Sequence, residues 1–152
     1  MYAPDHAGIA TPIGTVVIEG DDRTITRIRL SHAAPPRESE AAAVREAAAQ
    51  LAAYFAGRLR AFDLPLAPVA SARGTVLRQA IVDIGYGDTA SYGELARLSG
   101  SSARALGQAC ARNPFPLVVP CHRVLRSGGV LGPYSAGEGP VTKRWLLDFE
   151  AS

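Results

Sequence analysis

Residues 91–114, SYGELARLSGSSARALGQACARNP, decide the fold of the C-terminal half of this chain. Ser91 and Glu94 have the Ser-x-x-Glu spacing of a capping box, in which the two side chains accept hydrogen bonds from free backbone N–H groups at a helix start. The helix that follows is predicted to stop at Gly100. The stretch therefore opens with a short capped helix.

A second helix is predicted to begin after Ser101 or Ser102 and to run to about Arg112, where Asn-Pro ends it. Two short helices joined by a tight Ser-Gly turn resemble a helix-turn-helix, although helical hairpins of other function are common. Ala103 and Ala105 give the second helix a narrow surface. Such a surface favours close approach to a nucleic-acid backbone or minor groove over reading base edges with long side chains.

Charge points to a polyanion as the partner of this segment. The chain carries 16 Lys and Arg against 14 Asp and Glu, a net charge of +2. No acidic residue lies between Glu94 and Glu138, whereas five arginines do: Arg97, Arg104, Arg112, Arg123 and Arg126. A solvated charged face would give the same pattern, but its coincidence with the helical pair favours DNA binding.

The N-terminal half is predicted to be a small antiparallel sheet with one helix. Two β-branched runs, Thr15–Glu19 and Thr24–Leu30, flank a Gly-Asp-Asp-Arg turn and read as a hairpin. The Ala-rich stretch Glu38–Leu59 repeats apolar residues, Val44, Ala48, Leu51 and Phe55, at helical spacing and ends near Gly57. We expect this amphipathic helix to pack on the sheet.

A proline-containing segment, residues 63–68, separates the two halves, because each proline removes a backbone donor and restrains its predecessor. We place the domain boundary near residues 64–72, with domains over 1–70 and 71–152. A short helix is predicted over Thr75–Asp83. The expected fold class is α+β: a small N-terminal antiparallel sheet with a helix, followed by a mostly helical C-terminal domain with a helix-turn-helix.

Composition excludes several classes of protein. With 152 residues, 47% of them hydrophobic and 20% charged, the chain has an ordinary globular profile. Two cysteines exclude a disulfide scaffold and indicate a reducing compartment, and their spacing does not fit a structural zinc site. No apolar run approaches the ~20 residues of a membrane span. Residues 1–6 lack the features of a secretory signal, so we expect a cytoplasmic protein with no membrane association. We expect no metal among the candidate site residues, and whether a metal stabilises the first domain stays open.

One cysteine follows an apolar, strand-like run, Phe115–Val119, and precedes a histidine and an arginine. His122 can act as a base and Arg123 adds positive potential, and both favour the thiolate of Cys121, the nucleophilic form. Adjacent residues of an extended chain point to opposite faces, so His122 is expected to act on Cys121 through a water. Cys110, flanked by two alanines, is interpreted as a core residue.

These segments together resemble the methylated-DNA–protein-cysteine methyltransferases, also called O6-alkylguanine-DNA alkyltransferases. The resemblance covers residues 74–150 and is carried by these stretches: Ser91–Ala96, Ala103–Gly107, Asn113-Pro114 and Pro120–Val124. It implies a ribonuclease H-like domain over residues 1–70 and a DNA-binding alkyltransferase domain over residues 71–152. It also implies a protein that needs no cofactor and is consumed by one turnover.

The resemblance implies a role for each matching residue. Cys121 would accept the alkyl group, His122 would be its base through a water, and Glu150 would orient His122. Tyr92 would help rotate the flanking phosphate and donate toward N3 of the departing guanine. Arg104 would enter the base stack and hold open the gap left by the flipped nucleotide.

The remaining implied contacts fall into two sets. The DNA-binding set comprises Arg104, Tyr92, Ser102, Ala103, Ala105, Arg112 and Arg123, and the substrate pocket comprises Asn113, Val124, Tyr134, Ser135, Ala136 and Lys143. Ala136 stands where the family commonly has glycine, so we expect less room for bulky O6-alkyl groups.

Two other functions stay open at this point. One is an alkyltransferase-like protein that flips damaged bases without repairing them, against which the presence of Cys121 argues. The other is a cysteine hydrolase, for which the sequence offers neither an oxyanion hole nor a turnover route. The expected partner is double-stranded DNA containing alkylated guanine, bound by a monomer in the cytoplasm and associated with the nucleoid. Cooperative binding and the choice between O6-methylguanine and O4-methylthymine stay open.

Overall fold

A three-stranded antiparallel sheet forms the base of the first unit of this computed structural model, which describes residues 3–152. The strands are β1 (Asp5–Thr11), β2 (Gly14–Gly20) and β3 (Ile25–Ser31), in that spatial order. The predicted β2–β3 hairpin is present, with Ile18 opposite Ile28. The strand β1 was not predicted, because its sequence has few β-branched residues. It forms through backbone pairing with β2.

The helix α1 (Ala42–Phe55) packs on this sheet. Its buried residues are Ala43, Val44, Ala47, Leu51 and Tyr54, so the apolar face is rotated slightly from the predicted one. The helix begins four residues after the predicted start at Glu38, because Ser39 is hydrogen-bonded elsewhere. Its hydroxyl donates to Asp5 (2.6 Å) and accepts from the backbone N–H of Ala41 (3.1 Å).

The chain divides into two units between Ala67 and Pro68. The second unit contains α2 (Ala72–Val82), α3 (Tyr92–Ser99), α4 (Ala103–Ala111) and α5 (Pro140–Ala151), with a two-residue parallel pair formed by β4 (Ala90–Ser91) and β5 (Val124–Leu125). The helix α2 begins before the predicted Thr75, because the side chain of Ser71 caps it by accepting from Gly74 N–H. The α+β fold class is confirmed.

The helix-turn-helix consists of α3 and α4, which pack on each other. The capping box is present: Glu94 N–H donates to the Ser91 hydroxyl (3.0 Å), and Ser91 N–H donates to the Glu94 carboxylate (3.2 Å). Gly100 ends α3 in the left-handed conformation, with φ of 65°. Of the two candidate caps for α4, Ser102 is the one used, because it accepts from Ala105 N–H (3.1 Å).

The prediction of a strand before Cys121 is wrong. Residues 115–119 form turns, in which Val119 N–H donates to the Phe115 carbonyl (2.9 Å). Leu117 adopts a φ of 76°, in the left-handed region that leucine rarely enters, while its side chain is buried. Prolines at 114, 116 and 120 keep this segment out of regular structure.

No helix within residues 3–152 is both long enough and apolar enough to cross a membrane.

Candidate active site

Cys121 is the first residue of a 3-10 turn that spans Cys121–Arg123, so the backbone here is not extended as expected. Its side chain is buried, and its N–H donates to the Val119 carbonyl (2.8 Å). The Asn113 side-chain amide donates to Cys121 Sγ (3.4 Å) and to the same Val119 carbonyl (3.0 Å). Asn113 Oδ1 accepts from Phe115 N–H (2.9 Å), so this residue braces the turn between α4 and the cysteine.

His122 is a buried base whose proton position is set by its partner. Its Nε2 lies 2.8 Å from Oε2 of Glu150, and its exposed fraction is 0%. A carboxylate only accepts, so Nε2 carries the hydrogen and Nδ1 keeps its lone pair. This buried Nδ1 makes no hydrogen bond to any group within residues 3–152. Burial lowers the pKa of His122 despite the nearby carboxylate, so the ring rests neutral and can accept a proton.

Glu150, near the end of α5, is held from two sides. Arg123 Nε donates to Oε1 (2.8 Å) and Arg123 Nη2 donates to Oε2 (3.0 Å), which forms a two-pronged ion pair. Nε2 of His122 donates to the same Oε2 (2.8 Å). Arg123 Nη1 also donates to the Ile84 carbonyl (2.7 Å). The Glu150 side chain is 1% exposed, so its buried negative charge is compensated by the buried positive charge of Arg123.

The prediction that Arg123 contacts DNA is wrong, because its guanidinium is buried against Glu150 and only 6% of the side chain is exposed. The related expectation, that the charge of Arg123 favours the Cys121 thiolate, is also wrong, because other groups have this effect. Glu150 neutralises Arg123, and the stabilising effects on the thiolate come from the Asn113 amide and the Lys143 charge. Nothing in the local sequence indicates a pair of residues separated by 27 positions.

Cys110, in the last turn of α4, is buried as predicted, but the sequence did not indicate its contact with Cys121. The two side chains interact with each other, and both cysteines are free. The interaction with Cys110 and burial raise the pKa of Cys121 well above its ordinary value, and Asn113 and Lys143 oppose this only in part. Cys121 therefore rests as a neutral thiol and needs a base to become nucleophilic.

Lys143 connects two pieces of backbone around this centre. Its side chain is buried, and Nζ donates to the carbonyls of Val124 (2.6 Å) and Pro133 (3.1 Å). The first carbonyl belongs to β5 and the second to the loop that follows it. Burial lowers the pKa of Lys143. The ammonium thus fixes the loop that carries Tyr134 relative to the turn that carries Cys121.

Two tyrosines complete the surroundings of the thiols. The hydroxyl of Tyr134 is buried, and it hydrogen-bonds to no group in the described part of the chain; burial raises its pKa. Tyr92, the first residue of α3, is half-buried, and burial with the two cysteines raises its pKa to about 12. Both residues are therefore neutral O–H donors at physiological pH. Ser135 donates to the Cys110 carbonyl (3.4 Å), and Ala136 lies beside it, half-buried.

The remaining predicted DNA-binding residues lie on α4. Ser102, Ala103 and Arg104 are exposed at its N-terminus, Ala105 is half-buried, and Arg112 is exposed at its C-cap. The opposite face of α4 buries Leu106 and Cys110. One helix thus places an arginine on the surface and a cysteine beside Cys121. Within residues 3–152, no group of three or more His, Cys, Asp or Glu side chains could hold a metal ion.

Comparison with known proteins matches both units to one family. Residues 74–152 match the DNA binding domain of 6-O-methylguanine DNA methyltransferase, and residues 6–68 match its ribonuclease-like domain. The methylated-DNA–protein-cysteine methyltransferase of Methanosarcina acetivorans is 36% identical, covering 97% of this chain and 98% of the relative. The protein of the same name from Mycobacterium tuberculosis strain H37Rv is 39% identical, covering 95% and 90%.

Solved structures agree with this match. The crystal structure of Mycobacterium tuberculosis OGT in complex with DNA has a TM-score of 0.82 at 36% identity, covering 95% of this chain and 92% of that one. The crystal structure of the O6-methylguanine methyltransferase from the same organism has a TM-score of 0.83 at 34% identity, covering 98% and 93%. The similarity extends over both units of the chain.

Proposed function

This chain belongs to the methylated-DNA–protein-cysteine methyltransferases, enzymes that repair DNA by transferring an alkyl group to one of their own cysteines, and we propose that Cys121 is the acceptor and O6-alkylguanine in duplex DNA the substrate. One observation carries this proposal. A buried thiol with a raised pKa is followed directly by a buried neutral imidazole, whose Nδ1 is uncommitted and whose Nε2–H is held by Glu150. That is the nucleophile, base and orienting group of a triad.

The proposed reaction begins with transfer of the Cys121 proton through a water to Nδ1 of His122. The resulting imidazolium donates to Glu150, and the thiolate attacks the alkyl carbon in line with the C–O6 bond. A sulfur–carbon bond forms as the carbon–oxygen bond breaks, and the electron pair moves to the guanine. Tyr92, with its pKa near 12, donates a proton toward N3 so that the base leaves neutral.

The path to the thiol requires that the damaged nucleotide leave the duplex. We assign Arg104 as the residue that fills the gap, because it is exposed at the start of α4, whose other face reaches Cys110 beside the acceptor. The small residues around it, Ala103 and Ala105, allow the helix to approach the phosphate backbone. The exposed N-terminus of α4 and Arg112 add positive potential on the same helix.

Intact-mass measurement after incubation with a duplex that contains one O6-methylguanine tests this assignment. The expected result is a stoichiometric exchange of one hydrogen for one methyl group, located on the tryptic peptide that contains Cys121. A parallel duplex with O4-methylthymine tests the second lesion, and mass photometry of the complex on short and long duplexes tests the monomer and the cooperative alternatives. Methyl transfer to any other residue would contradict the assignment of Cys121.

The alternative function, a protein that binds the lesion without repairing it, is not favoured, since the named relatives are methyltransferases and Cys121 is present. Tight lesion-selective binding with no mass gain would restore that alternative.

We also propose a cytoplasmic protein that associates with the nucleoid when bound to DNA. Fluorescence of a tagged chain before and after alkylation of the DNA checks that location.

A further inference from the structure

Cys110 and Cys121 are brought together by two different segments, the last turn of α4 and the 3-10 turn after it. Asn113 links them, because its backbone N–H donates to the Cys110 carbonyl (3.2 Å) and its side chain donates to Cys121 Sγ (3.4 Å). The hydroxyl of Ser135 also donates to the Cys110 carbonyl (3.4 Å). The backbone of Cys110 is therefore anchored in the site, and its side chain interacts with that of Cys121.

The mechanism proposed above makes no use of Cys110. A methionine, leucine or alanine would fill the interior of α4 at this position, whereas a thiol within reach of the acceptor adds a chemistry that those residues lack. Both cysteines are free and buried, with 7% and 3% of their surfaces exposed. A disulfide joins its two sulfurs at about 2.05 Å, so bond formation requires the two side chains to rotate toward each other.

We propose that Cys110 and Cys121 form a site of reversible oxidation, at which a peroxide converts the two thiols into an internal disulfide. One sulfur attacks the peroxide O–O bond and takes one oxygen as a sulfenic acid, while the other oxygen leaves as water. The second thiol then attacks the sulfenic sulfur, the sulfur–sulfur bond forms, and a second water leaves. The two thiols are oxidised by two electrons, and one peroxide is reduced to two waters.

Access for a peroxide is a smaller demand than access for a nucleobase. If Cys121 accepts an alkyl group from DNA, as the proposed function requires, any path that admits the base also admits a peroxide. The disulfide would remove the acceptor from repair and protect its sulfur from the irreversible sulfinic and sulfonic states. A dithiol reductant would return the protein to use. The consequence for repair rests on the proposed function, but formation of the bond does not.

The test uses the full chain without DNA, so its result is independent of alkyl transfer. The reduced protein is treated with hydrogen peroxide and then denatured in the presence of N-ethylmaleimide, which blocks the thiols that remain free. Its intact mass is then measured. The expected result is the loss of two hydrogens and no maleimide added, reversed by dithiothreitol. Trypsin cleaves after Arg104, Arg112 and Arg123, which places the two cysteines on different peptides, residues 105–112 and 113–123. The disulfide holds these peptides together until reduction.

The matched variant is Cys110→Ser, whose thermal unfolding is followed beside the wild type. After the same treatment its Cys121 should carry one or more added oxygens or remain a maleimide-reactive thiol, with no loss of two hydrogens. The proposal is overturned if the wild-type protein gains oxygen on either cysteine without linking the two peptides, or if it forms only disulfides between molecules. The wild-type peptide map decides this even if the variant fails to fold.

Discussion

Replacing Glu150 by glutamine isolates the role of the buried charge array. The change keeps the size of the side chain and one carbonyl oxygen, but removes the negative charge that faces His122 and Arg123. During the proposed reaction His122 becomes an imidazolium 2.8 Å from the carboxylate oxygen. With charge centres roughly 4 Å apart and an effective dielectric constant of about 20, the lost attraction is about 4 kcal/mol.

That energy corresponds to a decrease of about a thousandfold in the rate of alkyl transfer, since each ~1.4 kcal/mol changes a rate about tenfold. Arg123 would then face the imidazolium without compensation, which acts in the same direction. The assay is single-turnover methyl transfer from a duplex with one O6-methylguanine, at saturating protein. A decrease smaller than about tenfold corresponds to a loss of less than ~1.4 kcal/mol, which is more than ~2 kcal/mol below the expected loss. That result would refute the role of Glu150 in stabilising the protonated His122.

The same variant should unfold more easily, by about 3–5 kcal/mol, because it leaves a buried arginine without its partner. Two controls separate stability from chemistry. Asp148→Asn changes an exposed carboxylate on the same helix, 4.0 Å from Arg144, and should alter both stability and rate little. Glu150→Gln combined with Arg123→Met removes the uncompensated charge, so it should recover stability while the transfer rate stays low.

Four further predictions follow from single residues. Arg104→Ala should slow transfer from duplex DNA by at least tenfold (~1.4 kcal/mol) but spare methyl transfer from free O6-methylguanine base; equal slowing of both would contradict its proposed place in the base stack. The midpoint of the decline of the transfer rate in acid should lie below pH 6.5, because burial lowers the pKa of His122 from its ordinary value of 6.5; a midpoint at or above 6.5 in a pH-rate profile would contradict a neutral buried base. Asp5→Asn should destabilise the protein at neutral pH and progressively less in acid, since hydrogen bonds from Ser39 and Arg37 hold the pKa of Asp5 well below its ordinary value of 3.8. This stability is present above the unfolded-state pKa and lost as pH falls toward the folded one, and urea unfolding at several pH values measures it. Ala136→Gly should raise the rate of benzyl transfer relative to methyl transfer, and unchanged relative rates would show that this position does not limit the pocket.

Local patterns predicted the helical pair well because its determinants lie within a few residues. The capping box of Ser91 and Glu94, the stop at Gly100 and the serine cap of α4 are all present. Each of them depends on hydrogen bonds between groups three or four positions apart. The same holds for the hairpin of β2 and β3, whose turn residues are adjacent in the chain.

Segments whose structure depends on distant partners were predicted less well. The strand β1 has weak intrinsic preference and exists because β2 pairs with it. The start of α1 is shifted because Ser39 binds Asp5, 34 positions earlier. The run before Cys121 is apolar like a strand, but its prolines and the positive φ of Leu117 turn it into a loop buried by the surrounding unit.

By itself the sequence determined the fold class, the helix-turn-helix and the candidate nucleophile with its base, because these follow from local spacing and from motifs that resemble one family. Only the tertiary structure decided what surrounds the nucleophile. It placed Arg123 inside against Glu150, and it linked Cys110 to Cys121 through Asn113. The physical reason is that burial and side-chain pairing arise from the packing of α5 on the 3-10 turn and from the contact of Asn113, just after α4, with Cys121. The spacing of residues in a sequence does not show which distant side chains such packing brings together.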